Sequence, residues 1–130
     1  MKELLIVLLL LGGGQYVWTH YLQPQASAPA AVTPAVKYPQ ERIEALARTV
    51  RSSEVVMYTT SSCPYCAQAK SWLSQNGFAF QECNMTNSPS CEREFIALGG
   101  NGTPFVVLRR NGQTHYMRDG FGSEEFLDLL

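Results

Sequence analysis

The sequence predicts a small three-layer α/β domain over residues 40–130, a four-stranded mixed sheet flanked by helices. Three observations predict it. Short apolar runs rich in β-branched residues alternate with helical patterns from Val55 onward. An Asn111-Gly112 pair between two strand patterns marks a hairpin. A further helical pattern, Ser123 to Leu130, follows the hairpin.

The elements follow in order. Ile43, Leu46, Ala47 and Val50 share one face of a leading helix that ends near Ser52-Ser53. Val55 to Thr59 is a short run of the kind buried in a parallel sheet. Thr60-Ser61-Ser62 turns into Cys63-Pro64-Tyr65-Cys66, and the helix beyond it stops at Asn76-Gly77. Phe78 to Asn84 reads as a second strand. Ser88 and Pro89 are a hydroxyl cap and a first-position proline, opening a helix that carries Phe95, Ile96 and Leu98 to Gly99-Gly100. Pro104 to Arg109 and Thr114 to Arg118 are the hairpin strands. Gly120-Phe121-Gly122 bends the chain, and Ser123 caps a last helix with Glu124 and Glu125 in its first turn. The order is a leading helix, then β-α-β-α-β-β-α, with parallel strands joined by helices before the hairpin. At about 90 residues such a domain can fold alone.

Composition narrows the function. Of 130 residues, 45% are hydrophobic and 11% aromatic, enough for one packed core. A net charge of -1 without a Lys/Arg cluster argues against nucleic acid as a partner. Four cysteines are too few for a disulfide-built miniprotein. His20 and His115 lie apart and suggest no metal site.

Two segments precede the domain. Residues 1–22 carry an unbroken apolar run, Leu4 to Leu11, the length of a signal-peptide core. Counted from Leu4 to Leu22, the stretch is also near the roughly 20 residues that span a bilayer, with Tyr16, Trp18 and Tyr21 as an interfacial belt. An uncleaved anchor, a signal cleaved near Ala26-Ser27-Ala28 or Ala28-Pro29-Ala30, and a buried helix are the three readings. Lys2 is the only cation before Lys37, which orients the remainder of the chain outward. The expected location is therefore extracytoplasmic: periplasmic and membrane-anchored, or soluble if the segment is removed. Residues 23–39 are an Ala/Pro-rich linker whose prolines exclude a helix. It reaches about 50 Å at roughly 3.1 Å per residue.

Cys63 and Cys66 carry the chemistry. A thiolate is the attacking species, and a free cysteine near pKa of about 8.5 is mostly protonated at neutral pH. A helix N-terminus favours the thiolate, and Cys63 occupies that place. Cys66, one turn on, can attack a mixed disulfide on Cys63 and release the partner. Half of a zinc site, or an inert disulfide, is the alternative. Zinc would need a second ligand pair, and Cys83 with Cys91 is not spaced as a knuckle.

The strand, Cys63-Pro64-Tyr65-Cys66, a helix, Thr103-Pro104 before a strand, and Gly120-Phe121 before a helix together resemble a glutaredoxin of the thioredoxin-like superfamily. The likeness covers Val55 to Leu130. It implies a thioredoxin-like three-layer sandwich and a thiol-disulfide oxidoreductase, with Cys63 as nucleophile and Cys66 as resolving thiol. It also implies a cis-proline at Pro104 facing the dithiol, with Tyr65, Thr103, Pro104, Gly120 and Phe121 around the substrate. No bound cofactor is implied; disulfide-containing proteins or glutathione would be the partners. The other class of function is a non-catalytic peptide-binding module with its dithiol permanently oxidised.

The family pattern is broken in two places. Glutaredoxins usually place a Lys or Arg three residues before the first cysteine, as partner for a glutathione carboxylate, and Thr60 stands there. Gly120-Phe121 resembles glutaredoxin-like proteins that do not depend on glutathione. Arg93 is the remaining candidate for a carboxylate, against an ordinary exposed helix cation. Glutathione as reductant therefore stays open. Cys83 and Cys91 flank the loop 84–90 and are read as a structural disulfide, as two unpaired thiols, or as a second redox relay. Of the three pairings of four cysteines, 63 with 66 and 83 with 91 is the one this topology accommodates.

Overall fold

A computed structural model of the chain describes residues 37–130; the apolar segment 1–22 and the linker up to residue 36 lie outside the described residues. The elements are α1 (Gln40–Ala47), a 3-10 turn (Ser52–Glu54), β1 (Val55–Thr59), α2 (Pro64–Gln75) and β2 (Gln81–Asn84). They continue with α3 (Pro89–Ala97), β3 (Phe105–Arg110), β4 (Gln113–Met117) and α4 (Ser123–Asp128).

The sheet is mixed, in the order β2-β1-β3-β4. Only β1 and β2 run parallel, with Met57 beside Glu82 and Tyr58 beside Cys83. β3 returns antiparallel to β1, pairing Val56 with Val107 and Tyr58 with Phe105. The helix between β2 and β3 therefore does not complete a parallel crossover. An apolar strand buried on both faces looks the same from either direction, so its residues carry no mark of orientation.

Alternation of side chains along the central strands builds two cores. Val55 and Met57 of β1, with Val106 and Leu108 of β3, face a core closed by Ala47 of α1, Ala69 and Leu73 of α2, and Phe126 and Leu127 of α4. Tyr58, Phe105 and Val107 face the other way, against Phe95 of α3 and Leu98. The result is three layers, with α3 alone on the second face. Trp72, Phe78, Phe121 and Phe126 interlock on the first face; the Phe78 and Phe126 rings meet edge to face at 5.1 Å.

Several boundaries differ from the sequence-based expectation, each for a local reason. α1 stops at Ala47 rather than near Ser52-Ser53, because Thr49 turns back onto the Leu46 carbonyl through both its N–H (2.9 Å) and its hydroxyl (2.7 Å). Val50 still joins the core from beyond that turn. β2 begins at Gln81, not Phe78, since the Phe78 N–H donates to the Leu73 carbonyl at the end of α2 (2.9 Å) and cannot enter the ladder. Gly122, not Ser123, is the cap residue of α4, and Ser123 is its first helical residue. The compact unit begins at Lys37 rather than Gln40. Tyr38 packs on the core, and its hydroxyl and the Lys37 ammonium both bind Asp128 of α4.

The hairpin turns on Asn111 (φ 54°) and Gly112 (φ 76°), both in the left-handed region that an Asn-Gly pair supplies at low cost. Its closing pair is Arg110 with Gln113, so β3 and β4 each extend one residue further toward the turn than expected.

The Cys83 and Cys91 sulfurs are bonded, with Cα atoms 5.4 Å apart. Loop-entropy reasoning assigns this bridge on the order of 2.5 kcal/mol. Urea denaturation of the Cys83→Ser/Cys91→Ser protein under oxidising conditions should show a loss of about that size.

Tyr58 presents the opposite case. Its hydroxyl is buried without a hydrogen-bond partner. Burial pushes it up to about 12, and the Glu94 carboxylate acts in the same direction, through space rather than through a formed bond. Tyr58→Phe removes an unsatisfied group at nearly constant shape. Its stability should match the parent or exceed it by up to about 1 kcal/mol, measured by the same denaturation.

Candidate active site

The dithiol lies where β1 passes into α2. β1 is paired on both sides, and it ends at Thr59, from which Thr60-Ser61-Ser62 turns the chain into the helix. Cys63 is the helix cap residue, extended at φ -97°, and Pro64 occupies the first helical position, where no N–H is needed. The Cys66 N–H donates to Cys63 Sγ at 3.1 Å. A sulfur thus stands where a Ser or Asp oxygen would stand in an ordinary cap. That places it among the free N–H groups and at the positive end of the helix, where negative charge on sulfur is favoured.

The two cysteines are joined by a disulfide, with Cα atoms 5.2 Å apart. Their surroundings differ. Cys63 is half-buried, whereas Cys66 is 1% exposed, which leaves Cys63 as the sulfur a partner can approach.

Thr103-Pro104 faces the pair. The peptide bond before Pro104 is cis, and Thr103 Oγ1 donates to Cys63 Sγ at 3.5 Å. β3 pairing begins at Phe105, so Thr103 lies outside the ladder. Beside them runs an open groove of about 630 Å³. Tyr65, Thr103, Pro104, Gly120 and Phe121, the residues the sequence singled out, all line it. Tyr65 is 71% exposed at the mouth. Gly120 has φ 106°, and a Cβ there would meet nothing within 4 Å, so backbone conformation rather than space calls for glycine.

Among the groove residues that the sequence reading did not assign to the site, two stand out, Trp72 and Arg118. Trp72 forms the groove floor, stacked on Phe78 at 5.7 Å; its helical spacing from Ala69 marks it as core but does not show the half that faces outward. Arg118 borders the groove beyond the end of β4. Its guanidinium donates to the carbonyls of Leu98 (3.2 Å) and Gly99 (2.7 Å) and lies over the Tyr116 ring at 5.0 Å. Arg93 and Thr60 are not among the groove residues. Thr60 lines a smaller hollow with Met85, Thr86, Glu92, Phe95 and Ile96, which contains no cation. Among the described residues, no three His, Cys, Asp or Glu side chains gather closely enough to hold a metal ion.

Behind the dithiol, Lys70 sits one turn after Cys66 and pairs with Glu82 of β2 at 2.8 Å. The same Glu82 oxygen accepts the hydroxyl of buried Thr59 at 2.7 Å. Partial burial pushes the Glu82 carboxyl up, but the bonds from Lys70 and Thr59 outweigh it and hold the group below the ordinary value of 4.5. A depressed carboxyl stabilises the fold above its unfolded pKa, and that stability is lost as pH falls through the folded value. Wild type should therefore exceed Glu82→Gln in stability at pH 7. The gap should narrow as pH drops below 4.5, as urea midpoints across the acid range would show.

This fold, with one accessible and one buried cysteine at a helix start, defines a protein of thiol-disulfide exchange. The chain belongs to the glutaredoxin family: the glutaredoxin family profile matches residues 55–113, and the relatives are close enough to carry the assignment. Glutaredoxin of Pseudomonas aeruginosa is 39% identical over 62 residues, 47% of this chain and 70% of that protein. Glutaredoxin 3 of Escherichia coli is 37% identical over 51 residues, 39% of this chain and 61% of that protein. The glutaredoxin-like protein NrdH of Lactococcus lactis is 31% identical over 53 residues, 41% of this chain and 74% of its own length. Among solved structures, a thioredoxin-like protein 26% identical covers 58% of this chain and 99% of its own, at a TM-score of 0.48. The chain is thus a thiol-disulfide oxidoreductase at the level of its family. Among the described residues no helix is long and apolar enough to cross a membrane.

Proposed function

We propose that this protein exchanges disulfides with protein partners outside the cytoplasm, through Cys63 as nucleophile and Cys66 as resolving thiol. The observation that carries the reading is the asymmetry of the pair: an accessible sulfur at the helix cap and a resolving sulfur 1% exposed one turn behind it. In the reducing direction, the Cys63 thiolate attacks one sulfur of the partner's disulfide and expels the other as a thiolate. Cys66 then loses its proton and attacks Cys63 Sγ, and the partner leaves reduced. Two electrons pass to the partner, and the Cys63–Cys66 disulfide remains. The same steps reversed oxidise a dithiol, the direction following the relative potentials.

A protein disulfide fits the groove better than glutathione does. Thr60 supplies no charge for a carboxylate, and Arg118, the one cation among the groove residues, shares the groove with the carboxylate of Asp119. Trp72, Phe121 and Tyr65 offer apolar surface to the residues beside a partner's cysteine, and Thr103, outside the ladder, offers backbone groups to an extended peptide. Glutathione remains a candidate reductant by family. The extracytoplasmic setting rests on the apolar run Leu4 to Leu11 and the Ala/Pro-rich stretch after it, which we read as an anchor or export signal with a spacer.

Reduction of a model protein disulfide should vanish in Cys63→Ser. Cys66→Ser should instead accumulate a mixed disulfide on Cys63, visible by mass spectrometry. Full turnover by Cys63→Ser, or a Cys63–Cys66 potential far below about -300 mV, would mark the pair as an inert staple in a peptide-binding module.

A further inference from the structure

The turn that delivers Cys63 has little support of its own. Thr60, Ser61 and Ser62 lie past the end of β1 and before α2, and the Cys63 N–H reaches back only to the Thr60 carbonyl at 3.3 Å. Its outside support comes from the loop 84–90. The Met85 N–H donates to the Thr59 carbonyl at 2.8 Å. The Ser61 N–H donates to Thr86 Oγ1 at 3.0 Å, and Asn84 Nδ2 donates to Ser61 Oγ at 3.2 Å. Asn84 also accepts the Thr86 N–H through its side-chain oxygen at 3.0 Å, so the two loop residues fix each other.

This supporting loop is the one that the second disulfide closes. Cys83 is the last residue but one of β2, and Cys91 lies in the first turn of α3, where its N–H faces the Ser88 hydroxyl at 3.4 Å. The bridge therefore pins both ends of the segment whose middle holds the active-site turn.

We propose that Asn84 and Thr86 are positioning residues for Cys63, acting through Ser61, and that the Cys83–Cys91 disulfide keeps them in register. The inference rests on the reading of Cys63 as the nucleophile. Its physical content is the cap geometry. Cys63 Sγ accepts the Cys66 N–H only while the turn holds Cys63 in its extended conformation at the helix start. That contact and the helix end stabilise the thiolate. A turn released from the loop samples positions away from the helix end, and its thiolate population at neutral pH falls.

The test uses the full-length chain carrying Cys66→Ser, in which Cys63 is the single free thiol and the Cys83–Cys91 bridge stays oxidised. Iodoacetamide alkylation of Cys63 is followed against pH. Adding Thr86→Val, which keeps shape and removes the acceptor, should move the midpoint upward. At pH values below the parent midpoint the rate should fall roughly three- to tenfold, since one pKa unit is about a tenfold change in thiolate there. Cys83→Ser/Cys91→Ser should do the same, whereas Thr86→Ser, which keeps the hydroxyl, should retain the parent profile. Unchanged profiles in both the Thr86→Val and the bridge-less proteins would overturn the proposal, as would a Thr86→Ser profile displaced as far as that of Thr86→Val. Alkylation requires no turnover, so these outcomes are separate from the fate of the functional reading, which Cys63→Ser activity decides.

Discussion

The contact on which the site depends is the short approach of the Cys66 N–H to the Cys63 sulfur at the start of α2. A helix leaves its first N–H groups without intrahelical partners, and something must satisfy them. Here a sulfur takes the place of a capping oxygen. The requirement that stabilises the helix start also favours charge on the nucleophile, so fold stability and reactivity are tied to one atom. The same placement explains the asymmetry of the pair: the cap position lies at the edge of the helix, whereas the residue three further on turns inward beneath it.

Holding that cap in place engages one face of the sheet from its centre to its β2 edge. At the centre, Ala69, Leu73 and the aromatic group around Phe126 fix α2 against β1 and β3. At the edge, β2 brings Glu82 to Lys70 of α2 and to Thr59 of β1. β3 carries Thr103-Pro104 to the dithiol only because it runs antiparallel to β1, which brings its start beside the end of β1. Had β3 returned parallel, its N-terminal end would lie at the far edge of the domain from Cys63. The reversal of one strand is thus part of the site and not an incidental feature of topology.

Much of this could be read from residue types, and what could not has a physical explanation. β1, α2 and the Asn111-Gly112 turn follow from local chemistry: a buried β-branched run, a proline at the first helical position, and two residues tolerant of positive φ. The five residues that the family resemblance implies around the substrate, Tyr65, Thr103, Pro104, Gly120 and Phe121, line one groove. The direction of β3 was not legible, since burial on both faces gives no polarity. Nor was the role of Arg118, because an arginine at a strand end looks solvated until the carbonyls of Leu98 and Gly99, about twenty residues away, come within its reach. Asn84, at the end of β2, and Thr86, in the loop after it, give no sign of their role for the same reason. Their partner Ser61 is distant in sequence, and only the β1–β2 pairing brings the two loops together.

The charge pattern around the dithiol bears on specificity. A glutathione site needs cations free to meet carboxylates. This chain has Thr60 beside the turn, and its groove arginine is anchored through Nη1 on two backbone carbonyls and lies over two aromatic rings. Both bonds to the carbonyls leave from Nη1, so they anchor the guanidinium while Nε and Nη2 keep their N–H groups for a ligand. What the groove lacks is a second cation: Thr60 carries no charge, and Asp119 lines the groove beside Arg118. Trp72 and Phe121 add apolar surface to the same groove, so charge and apolar contact are both on offer there.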